Sequence, residues 1–108
     1  SFRPVLRELR TGEERVLGVF RSILCVQGTI ILEVQTATTL MTFPARQFSE
    51  VDFISYRTDT PGSVNCGAVP GTPPVLVTYR PSVGGASANG AHGQAVAIEL
   101  IPDGYVPR

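Results

Sequence analysis

The chain has 108 residues, of which 43% are hydrophobic and 17% charged, and its formal net charge is zero. This length suits a single ordinary domain, and the neutral balance argues against a surface that binds nucleic acid through clustered cations. All nine basic residues are arginine, a bias that we attribute to a bacterial gene of high GC content. The longest apolar stretch, Thr29–Val34, is too short to span a membrane.

The first residues differ in pattern from the rest of the chain. We predict a lead-in segment, residues 1–14, followed by one β-rich domain, residues 15–108. Within the lead-in segment, Pro4–Arg10 has the only helical pattern, and Gly12 is a suitable stop signal. The sequence therefore predicts a short N-terminal helix, which must pack on another element because two turns are marginal in water.

From Arg15 onward the hydrophobic pattern has a period of two, which predicts β-strands. The first strand, Val16–Val26, is long enough to bend, and Gly18 marks either the bend or a bulge. The dipeptide Gln27-Gly28 predicts a tight turn into the second strand, Thr29–Gln35, so that the two strands form a hairpin.

The middle of the chain predicts two further strands and a long loop. Thr38–Phe43 is rich in threonine and is expected at a sheet edge. Pro44–Glu50 is a connector with at most one helical turn, and Val51–Arg57 is a fourth strand. The loop Thr58–Pro74 is long for a compact domain, so a covalent tether within it makes physical sense.

Two strands separated by a glycine-rich loop complete the pattern. In Val75–Arg80 we expect Val75, Val77 and Tyr79 to point inward and Leu76, Thr78 and Arg80 outward. Pro81–Gly93 is predicted as a flexible hairpin loop. In Gln94–Ile101 we expect Val96, Ile98 and Leu100 on one side and Glu99 on the other. Five or six antiparallel strands in all predict an all-β fold, a small barrel or sandwich.

Four segments carry a resemblance to a known class of domain: the Gly18–Cys25 run with its hairpin, Val51–Tyr56 with a loop cysteine, Val75–Pro81, and Val96–Glu99. Together they resemble the small C-terminal β-barrel domains that follow tetratricopeptide repeats in some exported bacterial proteins. The resemblance covers most of the chain and implies an OB-like barrel with a cysteine pair. It also implies a module that binds or spaces, with no catalytic residues to transfer.

The only two cysteines, Cys25 and Cys66, fall in a predicted strand and a predicted loop. A disulfide between them would pin the loop to the sheet and would indicate an oxidising compartment. Two free buried thiols are the alternative. Metal binding together with His92, the only histidine, is disfavoured because the three residues lack ligand spacing.

No catalytic arrangement is apparent. His92 lies beside the most flexible predicted loop, which gives a general base no support, and no serine lies in a nucleophile elbow. The glycine cluster before His92 lacks the Lys-Ser/Thr pair of a phosphate-binding loop. We therefore predict a non-catalytic protein without a metal or cofactor.

Three aromatic–arginine doublets offer a different function, because OB domains that bind single strands combine stacking aromatics with cations. The arginines Arg21, Arg57 and Arg80 are a candidate patch for an anionic partner, next to Phe20, Tyr56 and Tyr79 respectively. Neighbouring strand residues point to opposite faces, however. The simpler interpretation of each doublet is therefore a core-facing aromatic residue next to a solvent-facing arginine. Nucleic-acid binding is the alternative and predicts exposed aromatics and free thiols.

A strand edge is the preferred site for a partner. The segment Thr36–Thr42 has no charge or proline that would block strand pairing. Its candidate edge residues are Thr36, Thr38, Thr39, Leu40 and Thr42. The opposing interpretation is that the loop Thr58–Pro74 covers this edge, and the sequence does not separate the two.

These observations predict an extracytoplasmic accessory module, stapled by one disulfide. Its expected partner is another protein or a neighbouring helical-repeat domain. No membrane span is predicted.

Overall fold

A computed structural model describes residues 6–57, 65–81 and 93–105. Over these ranges the chain forms β-strands and one 3₁₀ turn (Phe48–Glu50), and it contains no α-helix. The strands are β1 (Glu14–Val26), β2 (Thr29–Gln35), β3 (Leu40–Ala45), β4 (Asp52–Ser55), β5 (Gly67–Ala68), β6 (Pro74–Pro81) and β7 (Gly93–Leu100). The prediction of an all-β fold is confirmed for this part of the chain.

These strands form a single mixed sheet in the order β3-β2-β1-β6-β7-β4, with β5 paired to β1. All pairings are antiparallel except that of β4 with β7, which is parallel. The prediction of only antiparallel strands is therefore wrong. Parallel strands need a long connection, and here that connection contains β5 and β6, so local alternation carried no information about the direction of β4.

The long strand β1 bends and serves two neighbours. Its first part pairs with β6, from Glu14 to Val19, and its second part pairs with β2, from Val19 to Val26. Gly18 lies at the change of partner, and the register shifts by one residue between Phe20 and Ser22, which is a β-bulge. The predicted hairpin is confirmed, since Gln27-Gly28 joins β1 to β2 with Val26 opposite Thr29.

The main core lies on one face of the curled sheet. Phe20 and Ile23 of β1 and the even-numbered side chains of β2 are buried there. Val75, Val77 and Tyr79 of β6 point to this core, as predicted. Strands β3 and β7 approach each other across it without pairing, so the described strands do not close into a barrel.

A second layer of burial lies on the opposite face of β6 and β7 and corrects the prediction for both strands. Leu76 and Thr78, expected outward, are 2% and 0% exposed, and Glu99 is 0% exposed. In β7 a bulge opposite Thr78 and Tyr79 places Ala95, not Val96, with Ile98 and Leu100 in the core. Strands that are buried on both faces have nearly continuous apolar sequences. An alternating pattern therefore does not show which of their side chains face the main core.

The described part of the lead-in segment, from Leu6 onward, lies against this second layer in an irregular conformation. Leu6–Arg10, the described part of the predicted helix, is not helical, so that prediction is wrong for these residues. The reason is tertiary, because the main-chain N–H of Arg7 donates to Glu99 Oε2 at 2.9 Å and does not join a helix. A turn closes the segment where the Glu13 N–H donates to the Arg10 carbonyl, with Gly12 at a φ of 85°.

Two predictions concern residues beyond the described ranges. The first is the loop Pro81–Gly93, of which residues 82–92, including His92, lie outside the described ranges. The loop Thr58–Pro74 is described only from Asn65 onward, where it contains β5.

Candidate interaction surface

The predicted disulfide is confirmed. Cys25 in β1 and Cys66 beside β5 are bonded, with their Cα atoms 5.8 Å apart and 41 positions between them in the sequence. Beside the bond, β5 pairs with β1 through Ser22 opposite Ala68, and the Val69 N–H donates to the Arg21 carbonyl at 2.9 Å. The disulfide and these main-chain bonds together fix the end of the long loop along β1.

An apolar surface runs along the outer face of β1, away from the core. We call it the β1 stripe and define it as four side chains with their exposed fractions: Leu17 (46%), Val19 (36%), Leu24 (42%) and Val26 (56%). Single exposed apolar residues are normal on protein surfaces. Four of the five large apolar side chains that the described residues expose lie in this one strand, so the grouping is a property of the strand.

The β-bulge determines the chemistry at the centre of the β1 stripe. Phe20 and Ile23 point to the core, which leaves both Arg21 and Ser22 between them on the outer side. The Ser22 hydroxyl donates to Glu33 Oε1 of β2. Arg21 is exposed, and none of the ion pairs formed by described residues includes it. The positive charge of Arg21, which has no ion pair among the described residues, therefore lies between the two apolar pairs of the stripe, Leu17 with Val19 and Leu24 with Val26.

A polar cluster, which we call the Glu99 cluster, holds the described part of the lead-in segment on the opposite face of β6 and β7. Its members are Arg7, Arg15, Tyr56 and Glu99. Glu99 Oε2 accepts from the Arg7 N–H at 2.9 Å and from the Tyr56 hydroxyl at 2.8 Å. Arg15 donates through Nη2 to the Arg7 carbonyl, and the same nitrogen lies 3.7 Å from Glu99 Oε1. Glu99 and Arg15 thus hold the two main-chain polar groups of one residue.

Two pKa shifts report the electrostatics of this cluster. Glu13 accepts two hydrogen bonds from the Arg7 guanidinium, at 2.7 and 3.2 Å, and one from the Arg10 N–H at 3.0 Å. These hydrogen bonds lower the pKa of Glu13 to about 2. Burial and the hydrogen bond to Glu99 raise the pKa of Tyr56 to about 12, so the phenol remains neutral at physiological pH.

The predicted partner edge divides into a turn and a strand. The Thr36 hydroxyl accepts from the N–H groups of Thr38 and Thr39 and donates to the Thr39 carbonyl, so these three residues form a closed polar turn. Leu40 and Thr42 belong to β3 and pair with Gln35 and Glu33. The other side of β3 faces β7. The described part of the long loop pairs with β1, two strands away, and does not cover β3.

The three arginines proposed for an anionic partner do not form one patch. Arg80 lies at the far end of the β1–β6 ladder, beyond Tyr79 opposite Glu14, whereas Arg21 lies beyond the other end at Val19. Arg80 is level with residue 13, just before β1, so about eight strand positions, roughly 25 Å, separate it from Arg21. Arg57 donates to Asp103 Oδ1 at 2.8 Å and to the Ile101 carbonyl at 2.9 Å, which neutralises its charge.

The aromatic residues of the doublets also have partners within the fold. Phe20 is 2% exposed and stacks on Phe53, with ring centroids 6.4 Å apart. Tyr79 packs against Phe43 at 5.2 Å, and the Tyr56 hydroxyl is bonded to Glu99. The Phe20 ring is therefore not available for stacking by single-stranded nucleic acid, whereas Tyr56 and Tyr79 are half-buried.

Sequence reasoning missed the β1 stripe and the Glu99 cluster. A signal for the stripe was present, because Val16-Leu17 and Val19-Phe20 place apolar side chains on both faces of one strand. For Glu99 the apolar neighbours on both sides, Ile98 and Leu100, were the corresponding signal. Its partners Arg7 and Arg15 are remote in sequence, and nothing local pointed to them.

The described residues contain neither a candidate metal site nor a helix that could span a membrane. Among residues 6–57, 65–81 and 93–105 no group of three or more His, Cys, Asp or Glu side chains is placed to hold a metal ion. The same ranges contain no helix that is long and apolar enough to cross a membrane.

Comparison with known proteins gives no relative from which a role could be transferred. No protein-family model, no curated protein and no solved structure matches the chain.

Proposed function

We propose that this chain is a non-catalytic interaction module of an exported bacterial protein. The observation that carries the proposal is the β1 stripe, four exposed apolar side chains on one strand that the Cys25–Cys66 disulfide joins to the long loop. Persistent disulfides belong to oxidising compartments, which supports a site of action outside the cytosol. Exposed apolar groups flanked by polar residues are typical of protein-binding surfaces.

The partner that fits this surface is a protein segment with apolar side chains and one carboxylate. The apolar side chains would cover Leu17 and Val19 on one side of the bulge and Leu24 and Val26 on the other. The carboxylate would pair with Arg21, which has no ion pair in the described structure. A neighbouring helical-repeat domain or a separate protein could supply such a segment. Strand addition at β3, predicted from the sequence, is less favoured because β7 lies beside that strand.

The fold that we propose for the complete chain is an OB-like barrel. The support is the path of β1, which bends at Gly18 and pairs with both β2 and β6. The approach of β3 to β7 is a second support. β4 pairs only with Ala97–Leu100 of β7, which leaves the first half of β7 as an edge, and a barrel closes when two such edges of a curled sheet meet.

Single-strand nucleic-acid binding remains the alternative and is less favoured. It required free thiols and exposed aromatic rings, but Cys25 and Cys66 are bonded to each other and Phe20 is buried. Anisotropy with a labelled single-stranded oligonucleotide at low salt tests it directly. We expect no binding, and salt-sensitive binding would reinstate this function.

Pull-down from the native host with matched variants tests the proposed function. We expect a protein that binds the wild-type chain and is lost with Leu24→Asp. It should remain with Leu9→Asp, because Leu9 is 48% exposed but lies outside the β1 stripe. Arg21→Glu should also weaken binding. A partner that is retained by both Leu24→Asp and Arg21→Glu would contradict the assignment of the surface.

A further inference from the structure

Three buried polar atoms lie on the same face of three neighbouring strands without a protein partner in the described structure. They are Arg15 Nε of β1, Thr78 Oγ1 of β6 and Glu99 Oε1 of β7. The side chains of Thr78 and Glu99 are 0% exposed. Native proteins pair the large majority of buried side-chain polar atoms, so three unpaired atoms in one place call for a ligand.

The strand register brings the three side chains together. Arg15 is directly opposite Thr78, and Thr78 is directly opposite Ala97. Glu99 lies two positions beyond Ala97, on the same face, where diagonal neighbours on adjacent strands remain within reach of long side chains. The Arg15 guanidinium spans β6 to within 3.7 Å of Glu99 Oε1. Ala97, the residue of β7 opposite Thr78 on this face, has only a methyl side chain.

The chemistry of the three atoms selects the ligand. Arg15 Nε donates, Glu99 Oε1 accepts, and the Thr78 hydroxyl does either. A cation would be repelled by the guanidinium, and an anion would be repelled by the carboxylate. A small neutral molecule that accepts one hydrogen bond and donates two satisfies all three atoms. Buried water has these properties and typically makes about three hydrogen bonds to otherwise unsatisfied groups.

We infer that Arg15, Thr78 and Glu99 form a binding site for one internal water molecule. The water accepts from Arg15 Nε and donates to Glu99 Oε1 and Thr78 Oγ1. This site is independent of the proposed function. It lies directly under the lead-in segment, because Arg15 and Glu99 also hold the carbonyl and the N–H of Arg7. The water thereby fixes the two side chains that anchor the segment.

The variant Thr78→Val distinguishes a hydrated site from a dry one, because it changes the melting temperature in opposite directions in the two cases. In a hydrated site the substitution removes one hydrogen bond, and we expect the melting temperature to fall by about 4–8 °C, the shift that one net hydrogen bond produces in a domain of this size. In a dry site the same change removes an unpaired buried hydroxyl, so the melting temperature would rise and the inference would be overturned. Thr29→Val, at a half-buried position of β2, is the control. It gives the change in melting temperature that results from exchanging a hydroxyl for a methyl group elsewhere on this sheet.

A high-resolution crystal structure of the wild-type chain is the second measurement. We expect one ordered water within hydrogen-bonding distance of all three atoms. The same density should be missing or displaced in Thr78→Val. Direct hydrogen bonds among Arg15, Thr78 and Glu99 with no water between them would overturn the inference, whatever the change in melting temperature.

Discussion

At the scale of single residues, Gly18 lies where β1 passes closest to another strand. A Cβ atom built at this position would be 2.7 Å from the Gln35 carbonyl oxygen and 2.7 Å from Cγ1 of Val34. Both contacts are shorter than real Cβ contacts, and one of them is to main chain. The absence of a side chain at Gly18 is therefore what allows β1 to bend from β6 to β2.

We expect Gly18→Ala to lower the free energy of unfolding by about 1–3 kcal/mol, the usual cost of overpacking. Urea denaturation measures this change. Gly28→Ala is the control, because a Cβ there meets no atom within 4 Å and only the φ of 75° is unfavourable. If Gly18→Ala lowers the free energy of unfolding by less than about 1 kcal/mol, β1 does not pass β2 as closely as described.

Glu13 gives a prediction for the dependence of stability on pH. Hydrogen bonds from Arg7 and Arg10 lower its pKa in the folded chain to about 2, from an ordinary value of 4.5. A carboxyl group with a depressed folded pKa stabilises the fold fully above its unfolded pKa. That contribution is lost as the pH falls from about 4.5 to about 2.

We therefore expect the stability difference between the wild type and Glu13→Gln to shrink over this pH range. Urea denaturation between pH 6 and pH 2 measures it. Glu8→Gln is the matched control, since Glu8 is an exposed carboxylate in the same segment and its substitution should give no such trend. A difference between wild type and Glu13→Gln that does not vary with pH would show that the ion pair with Arg7 does not form in solution.

At the scale of elements, local signals predicted some strands well and others not at all. The hairpin of β1 and β2 follows from a glycine at the turn and from clear alternation on both sides, and both ends of β2 match the prediction. The direction of β4 depends on pairing with β7, more than 40 positions later. The lead-in helix failed for a similar reason, because Glu99 binds the Arg7 N–H that a helix would need.

Of the candidate sites, the disulfide could be predicted from the sequence, whereas the β1 stripe could not. The disulfide was predictable because one cysteine in a strand and one in a long loop have few other structural uses. The β1 stripe was not recognised, since an apolar residue in a strand is expected to face a core. Only the bulge at Arg21 and the two-sided pairing of β1 show which of its apolar side chains are left outside.

The connection between β4 and β6 is the element that depends most on the disulfide. The bond closes a loop with a sequence separation of 41, for which chain entropy predicts a stabilisation of about 4 kcal/mol. We expect the variant with Cys25→Ser and Cys66→Ser to lose about this amount in urea denaturation. Reduced wild-type protein is the control and should match the variant. A loss below about 1 kcal/mol would mean that β5 and the Val69 hydrogen bond hold the loop without the bond.

At the scale of the whole molecule, the curled sheet has two buried faces and one exposed strip. The core fills its inner face. On the outer face of β6 and β7, the described part of the lead-in segment is held by the Glu99 cluster. The outer face of β1 is left between the disulfide-linked loop and β2, and there the chain exposes its apolar side chains. The proposed interaction surface is therefore the part of the sheet that the described residues of this chain leave uncovered.

The compartment in which this surface works gives the last prediction. Both cysteines are exposed, so a reducing cytosol would have access to their bond, whereas an oxidising compartment would preserve it. We expect protein isolated from its native host to resist thiol alkylation under denaturing, non-reducing conditions. After reduction it should gain two alkyl groups, as measured by intact mass. The Cys25→Ser and Cys66→Ser variant is the control and should gain none. Two alkylated cysteines before reduction would place the protein in a reducing compartment and would remove the main support for export, while the β1 stripe would still be tested by the pull-down experiment.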